Sequence, residues 1–162
     1  MSTKELLLQY LRYNQWANKR IADVLAKTEP TLLDKEIKSS FPTLRKTVHH
    51  IWDAELTWMS RMKKETLQWP PTAEFKNAPI HEFTNTSNEF VEYVSEKDEE
   101  FFTSATTYHN SKGQPYITPN SDIIMHCMNH GTFHRGQLVT MLREAGISKL
   151  PSTDFITFVR QQ

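Results

Sequence analysis

The stretch Asn129-His130-Gly131-Thr132-Phe133-His134-Arg135-Gly136-Gln137 sets two imidazoles four residues apart. On a helix that spacing puts both on one face, one turn apart, where they can reach a single metal ion. Far upstream, Thr47-Val48-His49-His50-Ile51-Trp52-Asp53-Ala54-Glu55 can supply a third imidazole. Three neutral ring nitrogens with one position left open suit Zn²⁺, Ni²⁺ or another late divalent ion. An ion held that way can activate a water, a thiol or a substrate oxygen. The pair reads His-Gly-Thr-Phe-His and lacks the glutamate of His-Glu-x-x-His. Peptide hydrolysis with that glutamate as general base is therefore not supported.

The elements that must position these residues follow from periodicity. With His134 at zero and about 100° per residue, Ile123, Cys127, His130, Leu138 and Met141 fall within about 40° of it. Both histidines thus lie in the core-facing stripe, and His126 lies on its flank. Such imidazoles are either satisfied by a backbone carbonyl or a buried carboxylate such as Glu55, or they bind metal. A third candidate on another apolar face favours metal, because bundle cores build sites this way. His50 sits beside the face formed by Leu44, Val48, Ile51, Trp58 and Met62, and His49 points further away. Glu55 lies in the middle of that face. It either orients a ligating imidazole or pairs with Arg135. Asp53, Asn129 and Gln137 are further candidates to orient a ligand. Glu55, His126 and Arg135 are the candidate catalytic groups. Cys127 reads as a small apolar core residue. His81 and His109 read as surface residues.

Four long amphipathic helices are expected, over about Thr3–Lys27, Ser40–Glu65, Ile80–Ser104 and from Pro119-Asn120-Ser121-Asp122 to about Ala145. Pro42 is expected in the first turn of the second, and Gly146 as the cap ending the fourth. Residues 30–40 read as a polar connection. Asn14 and Asn18 fall in the apolar stripe of the first helix. They are expected to bond across the bundle, the alternative being a place on a pocket wall. Runs around Thr106–His109 and Gln114–Thr118 flank Asn110-Ser111-Lys112-Gly113 and read as a small hairpin. The tail piece Asp154–Val159 is expected to pack back on the helices. The fold class is all-α, a four-helix bundle with a hairpin between helices three and four and a short C-terminal segment, forming one domain over residues 1–162.

Nineteen basic residues balance nineteen acidic ones, with no run of like charge. No nucleic-acid or membrane surface is expected. A single cysteine excludes an intrachain disulfide. The N-terminal residues lack a signal-peptide pattern, and no apolar run reaches membrane-spanning length. The expected compartment is the cytoplasm.

At Tyr13-Asn14-Gln15-Trp16-Ala17-Asn18, at His50-Ile51-Trp52-Asp53-Ala54-Glu55 and at Asn129–Gln137 the chain resembles the DinB/YfiT-like family, as does the tail at Asp154-Phe155-Ile156. The resemblance spans nearly the whole chain. It implies a bundle with a long cross-over connection and a divalent metal held by His50, His130 and His134. It also implies a homodimer. Related proteins include transferases and isomerases that use low-molecular-weight thiols such as bacillithiol. The function this implies is a thiol-dependent S-transferase acting on a small-molecule substrate. A metal-dependent hydrolase and a non-catalytic, dimeric metal- or ligand-binding module are the alternatives.

Overall fold

The computed structural model describes residues 1–75 and 78–161. Helix α1 spans Thr3–Leu25 and opens with a capping box. The Ser2 hydroxyl accepts from the Glu5 N–H at 3.2 Å, and the Glu5 carboxylate accepts from the Ser2 N–H at 2.8 Å. The following connection is not wholly irregular. Pro30 opens a short helix, α2 (Pro30–Leu33), which buries Leu33.

Helix α3 spans Leu44–Lys63 and starts later than expected. Thr43 is its cap, accepting the Lys46 N–H at 3.1 Å, so Pro42 lies outside the helix. The long third helix expected over 80–104 is two helices, α4 (His81–Ser95) and α5 (Glu99–Thr103). Asp98 is extended between them, and its carboxylate accepts the Phe101 N–H at 3.0 Å. A new cap wins there over continued helix, although the apolar pattern runs on through both pieces.

Strands β1 (Ala105–His109) and β2 (Pro115–Pro119) pair antiparallel, with Thr107 opposite Ile117. Helix α6 spans Asn120–Glu144. Gly146 closes it in the left-handed region (φ 91°), and the Ile147 N–H returns to the Leu142 carbonyl at 2.9 Å. Helix α7 (Phe155–Val159) packs Phe158 against Tyr13 and Trp16 of α1. No helix among the described residues is long and apolar enough to cross a membrane.

The four long helices α1, α3, α4 and α6 form the bundle. Helix α1 packs beside α4 and α6, and α3 packs beside the same two. Two apolar clusters fill the interior. Leu7, Leu11, Met59, Phe90, Ile123 and Met128 belong to one, and Ile21, Leu25, Val48, Phe83, Leu138 and Met141 to the other. Chain order through these clusters fixes direction. Helices α1 and α6 run parallel to each other and antiparallel to α3 and α4. The link from α3 to α4 must therefore return along the bundle. Asp53 and His49 of α3 hold it there. Asp53 accepts the Thr72 N–H at 2.8 Å, and His49 Nδ1 lies 3.0 Å from the Thr72 hydroxyl.

Between the clusters lies a polar layer to which each long helix contributes. Glu55 of α3 accepts from the amides of Asn14 and Asn18 and from the Ser87 hydroxyl, each at 2.7 Å. The carbonyls of the same two asparagines accept from the Arg135 guanidinium. A direct Glu55–Arg135 pair, one of the two readings of Glu55, is replaced by a relay in which two α1 amides stand between the charges. Asn14 and Asn18 bond across the bundle, as their place in the apolar stripe requires. Gly131 makes room for this layer. A Cβ there would come within 2.9 Å of both Arg135 Nη1 and Asn14 Oδ1. Gly131→Ala is expected to destabilise the protein by about 2 kcal/mol through overpacking. Urea unfolding of the variant beside the parent measures this.

Candidate metal centre

Helix α6 carries His130 and His134 one turn apart, and antiparallel α3 carries His50 to meet them. Ring centroids are 4.6 Å apart for His50–His130, 4.6 Å for His50–His134 and 4.4 Å for His130–His134. One nitrogen from each ring lies within 4.8 Å of the others. His50 Nε2 and His130 Nε2 are 2.8 Å apart, close enough to share one N–H. Among the described residues, no carboxylate or thiol joins this group within that radius.

The three imidazoles are disposed to be neutral. Burial, with the charge of nearby His134, pushes His50 down to about 4. Burial and then the neighbouring histidines push His130 down to about 3. Burial also lowers His134, against a hydrogen bond that favours its charged form. Neutral imidazole is the form that ligates a metal.

Gln137 lies one turn beyond His134 and accepts from its Nδ1–H at 2.7 Å. That bond leaves Nε2 of His134 as the free lone pair. The Gln137 amide donates to the Ser40 hydroxyl at 2.7 Å. The next residue, Phe41, stacks on His50 at 4.1 Å and stands 5.7 Å from His134. The connection between α2 and α3 therefore forms one wall of the centre. Sequence reasoning did not identify Ser40 or Phe41. The available signal was a single aromatic, Phe41, in a connection of mixed polar and aliphatic residues.

The remaining predicted residues fall elsewhere. His126 is solvent-exposed, 6.0 Å from the His130 ring and 5.2 Å from Trp58. Glu55 and Arg135 belong to the polar layer, and among the described residues no hydrogen bond joins either to the histidines. Burial pushes the Glu55 carboxyl up, while its three donors and Arg135 pull it down. Asp53 holds the α3–α4 link, and Asn129 accepts from the Tyr10 hydroxyl at the surface. Cys127 is buried, and burial holds its thiol well above the ordinary range. It is an inert core residue, as expected. His81 and His109 are exposed.

The DinB family model matches residues 1–162. Protein DinB of Bacillus subtilis (strain 168) is 28% identical over 153 residues, covering 88% of this chain and 87% of the relative. The crystal structure of a DinB-like protein from Bacillus cereus ATCC 10987 superposes with a TM-score of 0.67 at 24% identity, covering 91% of this chain and 95% of that one. YfiT from Bacillus subtilis is described as a probable metal-dependent hydrolase with an unusual four-helix-bundle topology. It superposes with a TM-score of 0.61 at 15% identity, covering 90% and 89% of the two chains. At these identities the two structures speak for the fold.

The depressed histidines have a consequence for stability. An unfolded chain takes up protons on these imidazoles below about pH 6.5, and the folded chain resists doing so until about pH 4 or lower. The metal-free protein should therefore lose stability as pH falls through that window. Melting temperatures of chelator-treated protein, read from pH 7.5 downward, should drop, and the drop should be shallower in His130→Ala.

Proposed function

The chain belongs to the DinB family, and on that premise we propose that it is a metal-dependent enzyme joining a low-molecular-weight thiol to an electrophilic small molecule. The observation that carries this reading is the convergence of three imidazoles with no carboxylate beside them among the described residues. The donor set fits a late divalent ion such as Zn²⁺ or Ni²⁺. Three imidazole nitrogens gathered within 4.8 Å of one another would serve as ligands to such an ion. A divalent ion there supplies Lewis acidity, which lowers the pKa of a bound thiol or water.

The protein's own groups do the rest. His50, His130 and His134 would hold the ion, with no carboxylate or thiol of the described residues beside them. Gln137 orients His134, and Phe41 shields the His50 side from water. His126 stands beside His130 on the solvent side, where it can take the thiol proton and pass it out. The sulfur forms the new bond to the electrophile, and the displaced group leaves with its electron pair. This chemistry needs no strong general base. Glu55, the carboxylate that would serve as one, has both oxygens occupied in the polar layer.

A second reading is hydrolysis, the activity proposed for YfiT. The position of His126 favours it, since an imidazole near the open side can deprotonate a water. The two readings separate on His126. Hydrolysis driven by that base should fall at least about a hundredfold in His126→Ala. Thiol transfer, which does not depend on a base that activates water, should fall far less.

Elemental analysis of protein purified without a metal-affinity tag should find one divalent ion per chain. His50→Ala and His134→Ala should each lose it. Metal-loaded parent should consume thiol when offered a panel of thiols and electrophiles, and His134→Ala should not. Absence of thiol consumption across the panel would reject the transferase reading. Gln137→Ala should bind Zn²⁺ about tenfold or more weakly in chelator competition, because the imidazole loses its orienting partner.

A further inference from the structure

A second concave site lies along α3 from the histidines. The end of α3, residues 64–69 and strand β1 enclose a cavity of about 760 Å³. Its lining includes Thr57, Arg61, Lys64, Glu65, Trp69 and His109. Arg61 is the distinctive member. Its guanidinium carbon stands 4.4 Å from the ring centre of Trp58 and 4.5 Å from that of Tyr108. One of its amino groups donates to the His109 carbonyl at 3.2 Å. These contacts hold the fork in place without neutralising it. Among the described residues, no carboxylate forms an ion pair with Arg61, although Glu65 lines the same cavity. The Thr57 hydroxyl is buried and has no hydrogen-bond partner among the described residues. A fixed, half-buried guanidinium with donors to spare suits an anion, because its planar fork matches carboxylate and phosphate oxygens.

Trp58 and His126 lie between this cavity and the histidine cluster. The Trp58 ring packs against both Arg61 and His126, and His126 adjoins His130. We propose that this cavity binds the carboxylate or phosphate group of a small-molecule cosubstrate, with Arg61 as anchor and the reacting end directed to the histidine cluster. The link to reaction rests on the function proposed above. The binding itself does not.

The test is an NMR titration of the full metal-loaded chain at constant ionic strength, following the Arg61 Nε–H and Trp58 indole resonances. Sodium malate is the carboxylate probe and inorganic phosphate the other. A saturable shift with either probe, weakened about tenfold or more in both Arg61→Gln and Arg61→Lys, is the expected result. The Lys variant keeps the charge and loses the fork, so it tests recognition rather than net charge. Equal metal content and melting temperature in the variants exclude misfolding. Shifts that stay linear with concentration for both probes, or that persist unchanged in the variants, overturn the proposal. Saturable binding in a protein that consumes no thiol would leave the anion site standing while the transferase reading falls.

Discussion

Two opposite charges are buried at the centre of this bundle and do not touch. Glu55 and Arg135 are each 2% exposed, and the side-chain amides of Asn14 and Asn18 fill the space between them. An amide offers an acceptor to the guanidinium and a donor to the carboxylate at once. Each charge keeps its hydrogen bonds, and the two fields still offset across the short gap. Removing any one member strands the others in a low-dielectric interior, where an unsatisfied polar group is most costly. The layer therefore fixes the register of α1, α3, α4 and α6 more tightly than the apolar clusters on either side could.

That register places the candidate metal centre. Arg135 follows His134 directly in α6, so locking the arginine inward toward α1 sets the rotation of the helix about its axis. With that rotation fixed, His130 and His134 can only face α3. Glu55 does the same for α3, where His50 lies between one and two turns before it. Polar layer and histidine cluster are thus successive outputs of the same helix orientations. The close approach that Gly131 allows is part of that arrangement.

The helical period made much of this legible in the sequence. His130 and His134 share a face because of spacing alone, and His50 is distinguished from His49 by the same arithmetic. The fold class, the hairpin and the inward places of Asn14 and Asn18 follow from local pattern. What stayed hidden depends on distant chain. Ser40 and Phe41 reach the centre through a connection whose path no periodicity encodes. The pattern shows that Glu55 and Arg135 both face inward, but not that two amides separate them. The break at Asp98 was masked because Phe101 and Phe102 continue the apolar rhythm, while a capping carboxylate decides the backbone. Arg61 looks like an ordinary surface cation until Tyr108 arrives on a strand to close over it.

The parallel pairing of α1 with α6 also bears on how the protein is made. These two helices stand at opposite ends of the chain, and the contacts between them are the most non-local in the bundle. During synthesis, α1, α3 and α4 emerge first. They can bring Asn14, Asn18 and Ser87 to Glu55, but they leave that carboxylate without its countercharge. The layer closes only when α6 arrives with Arg135, and the same helix delivers two of the three histidines. A ribosome-bound chain lacking α6 therefore has neither the closed polar layer nor the full histidine cluster. One helix thus completes the polar layer and the histidine cluster together.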